Sequence, residues 1–333
     1  MTETQRGATV HGHPPMTEAE SIALVDDLCL RYRNWGRWGE DDQRGALNFI
    51  TPEALVHAGR MIRSGRIVSC GLPFDSNGPQ NGGFGGRTNP IHTMLQDGGD
   101  IALGAQDHLA LLRYTDDAVT MPLQCGTQWD ALAHIFYRGQ MYNGHGLDRV
   151  TSSGAKVNSI DRIADGVAGR GVLLDIPRYR GVDWLEAGHA VGHDELAGCA
   201  EAQGVDIRSG DIVLVRTGQL AQVRALGTWG EYDAGPAPGL GITAAEWFTA
   251  HEVAALATDT WGAEVRPNET PGVFQPLHLI LLVNAGMTFG EIFDLEALSQ
   301  ACQEEGRYEF FFSAPPLPIT GAVGSPINPI AIL

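Results

Sequence analysis

From residue 170 onward, short apolar runs alternate with helix-prone segments, and this alternation restricts the chain to few architectures. Residues 171–176 (Gly-Val-Leu-Leu-Asp-Ile), 211–216 (Asp-Ile-Val-Leu-Val-Arg) and 253–258 (Val-Ala-Ala-Leu-Ala-Thr) have the length and apolar content of strands. Between and after them, residues 194–202 and 294–304 read as helices. A further helix opens at Thr243, where Glu246 completes a capping-box pattern, and runs into His251. Strands alternating with helices imply an α/β fold. There are no internal repeats, low-complexity tracts or heptads.

The first half is less regular. Residues 1–16 are polar and proline-containing and read as a loose arm. Thr17 with Glu20 forms a capping-box pattern for a helix reaching about Tyr32. Thr51-Pro52 sets an N-cap before a first-turn proline and starts a second helix. Between these lies Asn34-Trp-Gly-Arg-Trp-Gly39, which places Trp35 and Trp38 in a glycine-rich turn. Two readings stand open for it: packing against the body or a subunit partner, or a wall of a substrate pocket. Residues 75–100 are rich in glycine and read as a long binding or lid loop, with Arg87 and His92 as candidate substrate contacts. No Gly-Lys-Ser/Thr follows, so this is not a phosphate loop. Residues 315–329 are rich in proline and glycine and are expected to wrap the surface or close a site.

Forty acidic against 22 basic residues give a net charge of −18. That field disfavours nucleic acid and anionic membranes as partners. It leaves room for a small anionic substrate, because one arginine or a metal reverses the field locally. The five cysteines are scattered and never in Cys-x-x-Cys spacing, which argues against a disulfide framework or a zinc knot. The start of the chain lacks a basic region followed by an apolar core, and the apolar run 277–287 is too short to cross a bilayer. A cytoplasmic location is expected.

Reactive chemistry is most concentrated in Gln124-Cys-Gly-Thr-Gln128-Trp-Asp130-Ala-Leu-Ala-His134. On a helix or tight turn, spacings of three, four and seven bring side chains to one face, and the Gly-Thr pair permits a sharp bend. Asp130 offers a hard oxygen ligand, and His134 offers either a ligand or a base. Gln124 and Gln128 could bind a metal only through neutral amide oxygens. A hydrogen-bonded core motif is the alternative reading.

Other groups are weaker. His278 and Glu291 form a second pair, although a histidine beside an apolar run is commonly a satisfied core residue. Asp259-Thr-Trp-Gly-Ala-Glu264 follows a strand, where a carboxylate either faces a site or orients loops by hydrogen bonding. His251-Glu252 lacks the second histidine of a zincin motif, since position 255 is alanine. His189 and His193 read as surface loop residues. Cys125 has no feature of an activated thiol, and no Gly-x-Ser-x-Gly elbow is present.

Residues 124–134 resemble the signature His-x-Gly-Thr-His-x-Asp-x-Pro-x-His of the cyclase-like metal-dependent hydrolases, a family that includes kynurenine formamidases, isatin hydrolases and a trans-dienelactone hydrolase. Gly126, Thr127, Asp130 and His134 match, whereas Gln124, Gln128 and Leu132 depart from it. Residues 171–175, 210–218 and 259–260 resemble the family's successive strand segments, and 321–326 its C-terminal loop. His278 and Glu291 stand where the family places its later metal ligands. The Trp35–Trp38 region fits a longer subgroup carrying Gly-Thr-Gln-Trp-Asp.

The resemblance implies a single α/β domain of the swivelling β/β/α type over residues 61–333, with a mixed central sheet. An N-terminal arm and helices over 1–60 would extend it. It implies one divalent ion, Mn²⁺ or Zn²⁺, held by Asp130, His278 and Glu291. Gln124 and Gln128 would add oxygens or bind substrate and water, and Trp129 would join the substrate contacts. His134 would serve as general base and acid in hydrolysis of an amide or cyclic amide. A lactone substrate and an inactive binding protein are the alternatives. A homodimer or homotetramer is expected.

Overall fold

The structure is a computed structural model, and residues 16–333 are described; the arm expected over 1–16 lies outside them except for its last residue. Nine strands form one mixed sheet: β1 Ile67–Ser69, β2 Gln128–Asp130, β3 Ala168–Asp175, β4 Ile212–Arg216, β5 Ala255–Thr258, β6 Thr288–Glu291, β7 Glu309–Ser313, β8 Gly324–Pro326 and β9 Ile330–Ile332. Their order is β1-β9-β7-β3-β4-β5-β6-β2-β8. The centre, β3-β4-β5-β6, is parallel, as the alternation of strands and helices requires. Antiparallel strands extend it on both sides, β7 on β3 and β2 on β6.

The expected helices form at His193–Ala202 and Glu296–Glu305. The helix after Thr243 spans Ala244–Ala250, but its capping box does not form. Thr243 is itself in helical conformation, and its hydroxyl accepts the backbone N–H of His193 at 3.2 Å, tying this helix to its neighbour. A tertiary bond has replaced a local one. Within residues 75–100, the expected long loop holds a strand, Ile91–Gln96, which pairs with Asp116–Thr120 in a separate hairpin.

Residues 18–46 brace the helix that carries His278, while the helix after Thr51 packs on the sheet. In α1 (Glu18–Arg31) the Thr17–Glu20 capping box is complete, and α2 (Pro52–Gly59) is capped by Thr51. α1 packs on a buried π-helical segment, His278–Ala285, which is the apolar run of the sequence. The C-terminal carbonyls of such a segment lack helical partners. Residues 34 and 35 supply them: Asn34 N–H donates to Asn284 O at 2.9 Å, Asn34 Nδ2 to Ala285 O at 3.1 Å, and Trp35 Nε1 to Val283 O at 2.9 Å. Next in the chain, Ala46 N–H donates to Gly286 O at 2.7 Å. A Cβ on the neighbouring Gly45 would lie 2.0 Å from that oxygen, so the backbones meet where no side chain fits.

Candidate metal centre and adjoining pocket

The segment 124–134 is a turn followed by a strand rather than a helix, and strand geometry sorts its side chains. In β2, residues 128 and 130 share one face and 129 takes the other. Gln128 pairs with Glu291 across the antiparallel β2–β6 ladder, so Gln128, Asp130 and Glu291 project to the same side. His278, at the start of the π-helical segment, joins them. One ligand atom from each of Asp130, His278 and Glu291 lies within 4.8 Å of the others, and all three residues are buried.

His278 Nε2 is 3.3 Å from Glu291 Oε1 and 3.9 Å from Asp130 Oδ2. Its Nδ1 is 2.6 Å from Oε1 of buried Glu264. Glu264 also accepts the backbone N–H groups of Leu277 and His278, both at 2.9 Å, and so holds the ring and its helix start together. A carboxylate on the far nitrogen of a histidine is the usual support of a metal-ligating imidazole. Burial opposes a charge on His278, but hydrogen bonding to Glu264 and Glu291 outweighs it and lifts the imidazole to about 10. Asp130 is raised to about 6, first by burial and then by the neighbouring charge of Glu291.

These residues fit a divalent cation. Two carboxylates and an imidazole converge in a buried space, where Oε1 of Glu291 has no neighbour to offset its charge except the His278 ring at 3.3 Å. Two buried carboxylates sharing one imidazole are costly unless a cation compensates them. Gln128 offers a different interaction from the expected oxygen ligand. Its Nε2 donates to Glu291 Oε2 at 2.9 Å and faces Asp130 Oδ1 at 3.4 Å, and its Oε1 is buried without a partner. Gln124 sits apart, its Nε2 unpaired against Gly324.

The centre opens into a cavity of about 280 Å³ lined by Asp130, His134, His278, Glu291, Phe84, Arg87, Ile135, Trp261, Phe274, Gln275 and Leu279. His134 is partly exposed at this cavity, with Nε2 3.8 Å from Asp130 Oδ1. Burial lowers its pKa against the opposing pull of Asp130. Arg87 lies 5.4 Å from the Phe84 ring centroid and 5.2 Å from that of Trp261.

Four expected substrate contacts lie elsewhere in the chain. Trp129 is fully buried on the opposite face of β2, packs edge-on against Phe293 and donates Nε1 to Ala314 O at 2.8 Å. Trp35 ties the π-helical segment, and Trp38 packs edge-on against Phe49. His92 stands on the exposed hairpin, paired with Asp117 at 2.7 Å. Cys125 is buried, and its thiol is pushed up to about 11, the opposite of an activated nucleophile. Asp259 orients loops, accepting from Thr217 N and Gly218 N at 2.7 Å. Glu264, five residues on, supports the centre. The sequence flagged this segment, but only the fold separates the two roles. The aromatic lining joins Phe84 of the glycine-rich loop to Trp261 and Phe274, far along the chain, and no local motif marks the three as one wall.

A family model described as "Putative cyclase" matches residues 45–265. A solved structure described as a novel cyclase is 39% identical, covers 91% of this chain and 100% of its own, and superposes with a TM-score of 0.83. Isatin hydrolase A from Ralstonia solanacearum is 20% identical over 80% of this chain and 91% of its own, with a TM-score of 0.59. An isatin hydrolase bound to the product analogue thioisatinate is 17% identical over 84% and 98%, also with a TM-score of 0.59. No curated protein matches the chain. The expected α/β domain with a mixed central sheet is the fold observed.

Proposed function

The chain belongs to the cyclase family, and on that premise we propose that it is a metal-dependent hydrolase of a small amide or cyclic amide. The observation that carries this reading is the buried convergence of Asp130, His278 and Glu291, with Glu264 behind the imidazole, at an aromatic-lined cavity. One divalent ion, Mn²⁺ or Zn²⁺, is the proposed cofactor. When bound, such an ion acidifies a water and polarises the scissile carbonyl.

The side chains divide the remaining work. Glu264 keeps Nε2 of His278 directed at the two carboxylates. His134, at the cavity wall, takes a proton from the attacking water and returns it to the leaving nitrogen or oxygen. Phe84, Trp261 and Phe274 sandwich or flank a flat apolar body and exclude water, and Arg87 supplies positive charge at the wall. The cavity volume suits a compact ring rather than a polymer. The two isatin hydrolases that share the fold offer a chemical precedent for a cyclic amide substrate.

The test is turnover of N-formyl aromatic amines, cyclic imides and lactones by metal-loaded and chelator-treated protein. Metal-dependent cleavage of amides over lactones supports the reading. Preference for lactones would reassign the bond. Metal binding with no turnover across the panel would reject the enzyme. A homodimer or homotetramer is also proposed, to be checked by light scattering.

A further inference from the structure

A second and larger chamber, about 730 Å³ and open to solvent along Ala234, Pro236, Pro271 and Phe274, lies beside the proposed substrate cavity and shares Phe274 with it. Its walls come from Ala234–Pro236, Arg266–Asn268 and Thr270–Phe274. Arg266 is its one cationic side chain, and it is only 8% exposed.

The surroundings of Arg266 are unusual for a buried guanidinium. It makes no ion pair among the described residues. Nη2 donates to Tyr232 O at 2.8 Å, and Nε is buried without a partner. The carboxylates whose fields reach it are Asp233 and Glu291. Asp233 is already engaged by the backbone N–H groups of Asn81 and Gly83, at 3.1 and 2.9 Å. Glu291 belongs to the metal centre. A buried charge with unused donors costs stability unless a counter-charge arrives. The chain is acidic overall, yet no carboxylate among the described residues lies within ion-pair distance of Arg266.

The other polar groups of the chamber are spent on the fold. Asn268 bonds Val265 O and Gln275 N, and Thr270 bonds Val273 O. What remains is one accessible guanidinium nitrogen, Nη1, which has neither a protein partner nor full burial, in a wall of proline, valine, alanine and phenylalanine. That combination recognises a planar anion with an apolar body.

Resting on the hydrolase reading, we infer that this chamber is a separate anion site that receives a small apolar carboxylate through Arg266, the class of product that hydrolysis of an amide, cyclic amide or lactone releases. Arg266 attracts a newly formed carboxylate toward the chamber past Phe274, which the two cavities share. The ring of Trp261 lines the smaller cavity and lies 5.0 Å from the Arg266 guanidinium.

The experiment is calorimetric titration of benzoate, with neutral benzamide as control, into chelator-treated protein, so that neither turnover nor a metal ion contributes. Wild type and Asp130→Asn are expected to bind one benzoate with equal affinity and to bind benzamide at least tenfold more weakly. Arg266→Met should weaken benzoate at least tenfold. Ala234→Trp, which fills the chamber from an exposed position, should do the same if Arg266→Met does not fold. Arg87→Gln should leave the affinity unchanged. Retention of benzoate by Arg266→Met or Ala234→Trp, or its loss in Arg87→Gln, overturns the inference. Because no turnover is read, absence of hydrolase activity in the panel above would reject the reaction without imitating either result.

Discussion

Nδ1 of His278 lies 2.6 Å from Oε1 of Glu264, and this contact directs the opposite ring nitrogen at Asp130 and Glu291. Removing the charge of Glu264 therefore acts on the metal centre from outside it. Glu264→Gln is expected to weaken divalent-ion affinity by about 10–100-fold, measured by competition with a chromogenic chelator. Unchanged affinity would remove Glu264 from the support of the centre.

Metal stoichiometry tests the proposed ligand set. One equivalent of Mn²⁺ or Zn²⁺ is expected to saturate the chain and raise its melting temperature, because a cation relieves the buried carboxylates. At a free ion concentration of about 100 times Kd, the gain is about 2.7 kcal/mol. Asp130→Asn and Glu291→Gln should lose most of that gain. Two tightly held ions per chain by elemental analysis would contradict the one-ion site.

His134 is expected to move protons without holding metal. His134→Ala should lower kcat by about 10²–10⁴-fold while metal content stays at the wild-type value. Its pKa is lowered by burial, and a bound cation shifts it further the same way. A general base must be neutral, so activity should persist as pH falls through 6.5 and fail only below it. An acid limb above pH 6.5 that persists in the residual activity of His134→Ala would point to a different base.

Trp35 is expected to matter for stability rather than for substrate. Trp35→Ala leaves Val283 O without its donor and opens a gap beside the helix of His278. A loss of about 3 kcal/mol in denaturant unfolding is expected, with KM unchanged in the folded protein. A raised KM with wild-type stability would restore the pocket-wall reading.

Gly290→Ala tests the packing behind the centre. A Cβ there would lie 2.6 Å from the Trp129 ring and 2.7 Å from both Ala257 Cβ and the Phe293 ring. Overpacking by about 1–3 kcal/mol is expected, with a fall in metal affinity because Glu291 is the next residue on the same strand. A neutral substitution would show that β2 and β6 separate without cost.

Local physics made much of the scaffold readable in advance. The parallel strands at residues 171–175, 212–216 and 255–258 and the caps at Thr17 and Thr51 follow from side-chain size, apolar content and hydrogen-bonding reach over a few residues. Thr243 shows where that reach ends, since its hydroxyl found a partner fifty residues away.

The chemical residue types were also visible in the sequence: Asp130, His134, His278 and Glu291 all line one cavity. Which neighbours serve them was not. A helix or tight turn over 124–134 would aim Gln124, Gln128, Asp130 and His134 at one spot, whereas a strand puts Trp129 in the core and turns Gln128 toward Glu291. Only the tertiary structure decided that Glu264 supports His278, that Asp259 serves loops, and that Phe84, Trp261 and Phe274 meet. The reason is physical: a metal site and a pocket are made by side chains far apart in the chain, and strand pairing and burial, not local spacing, set which of them face one another.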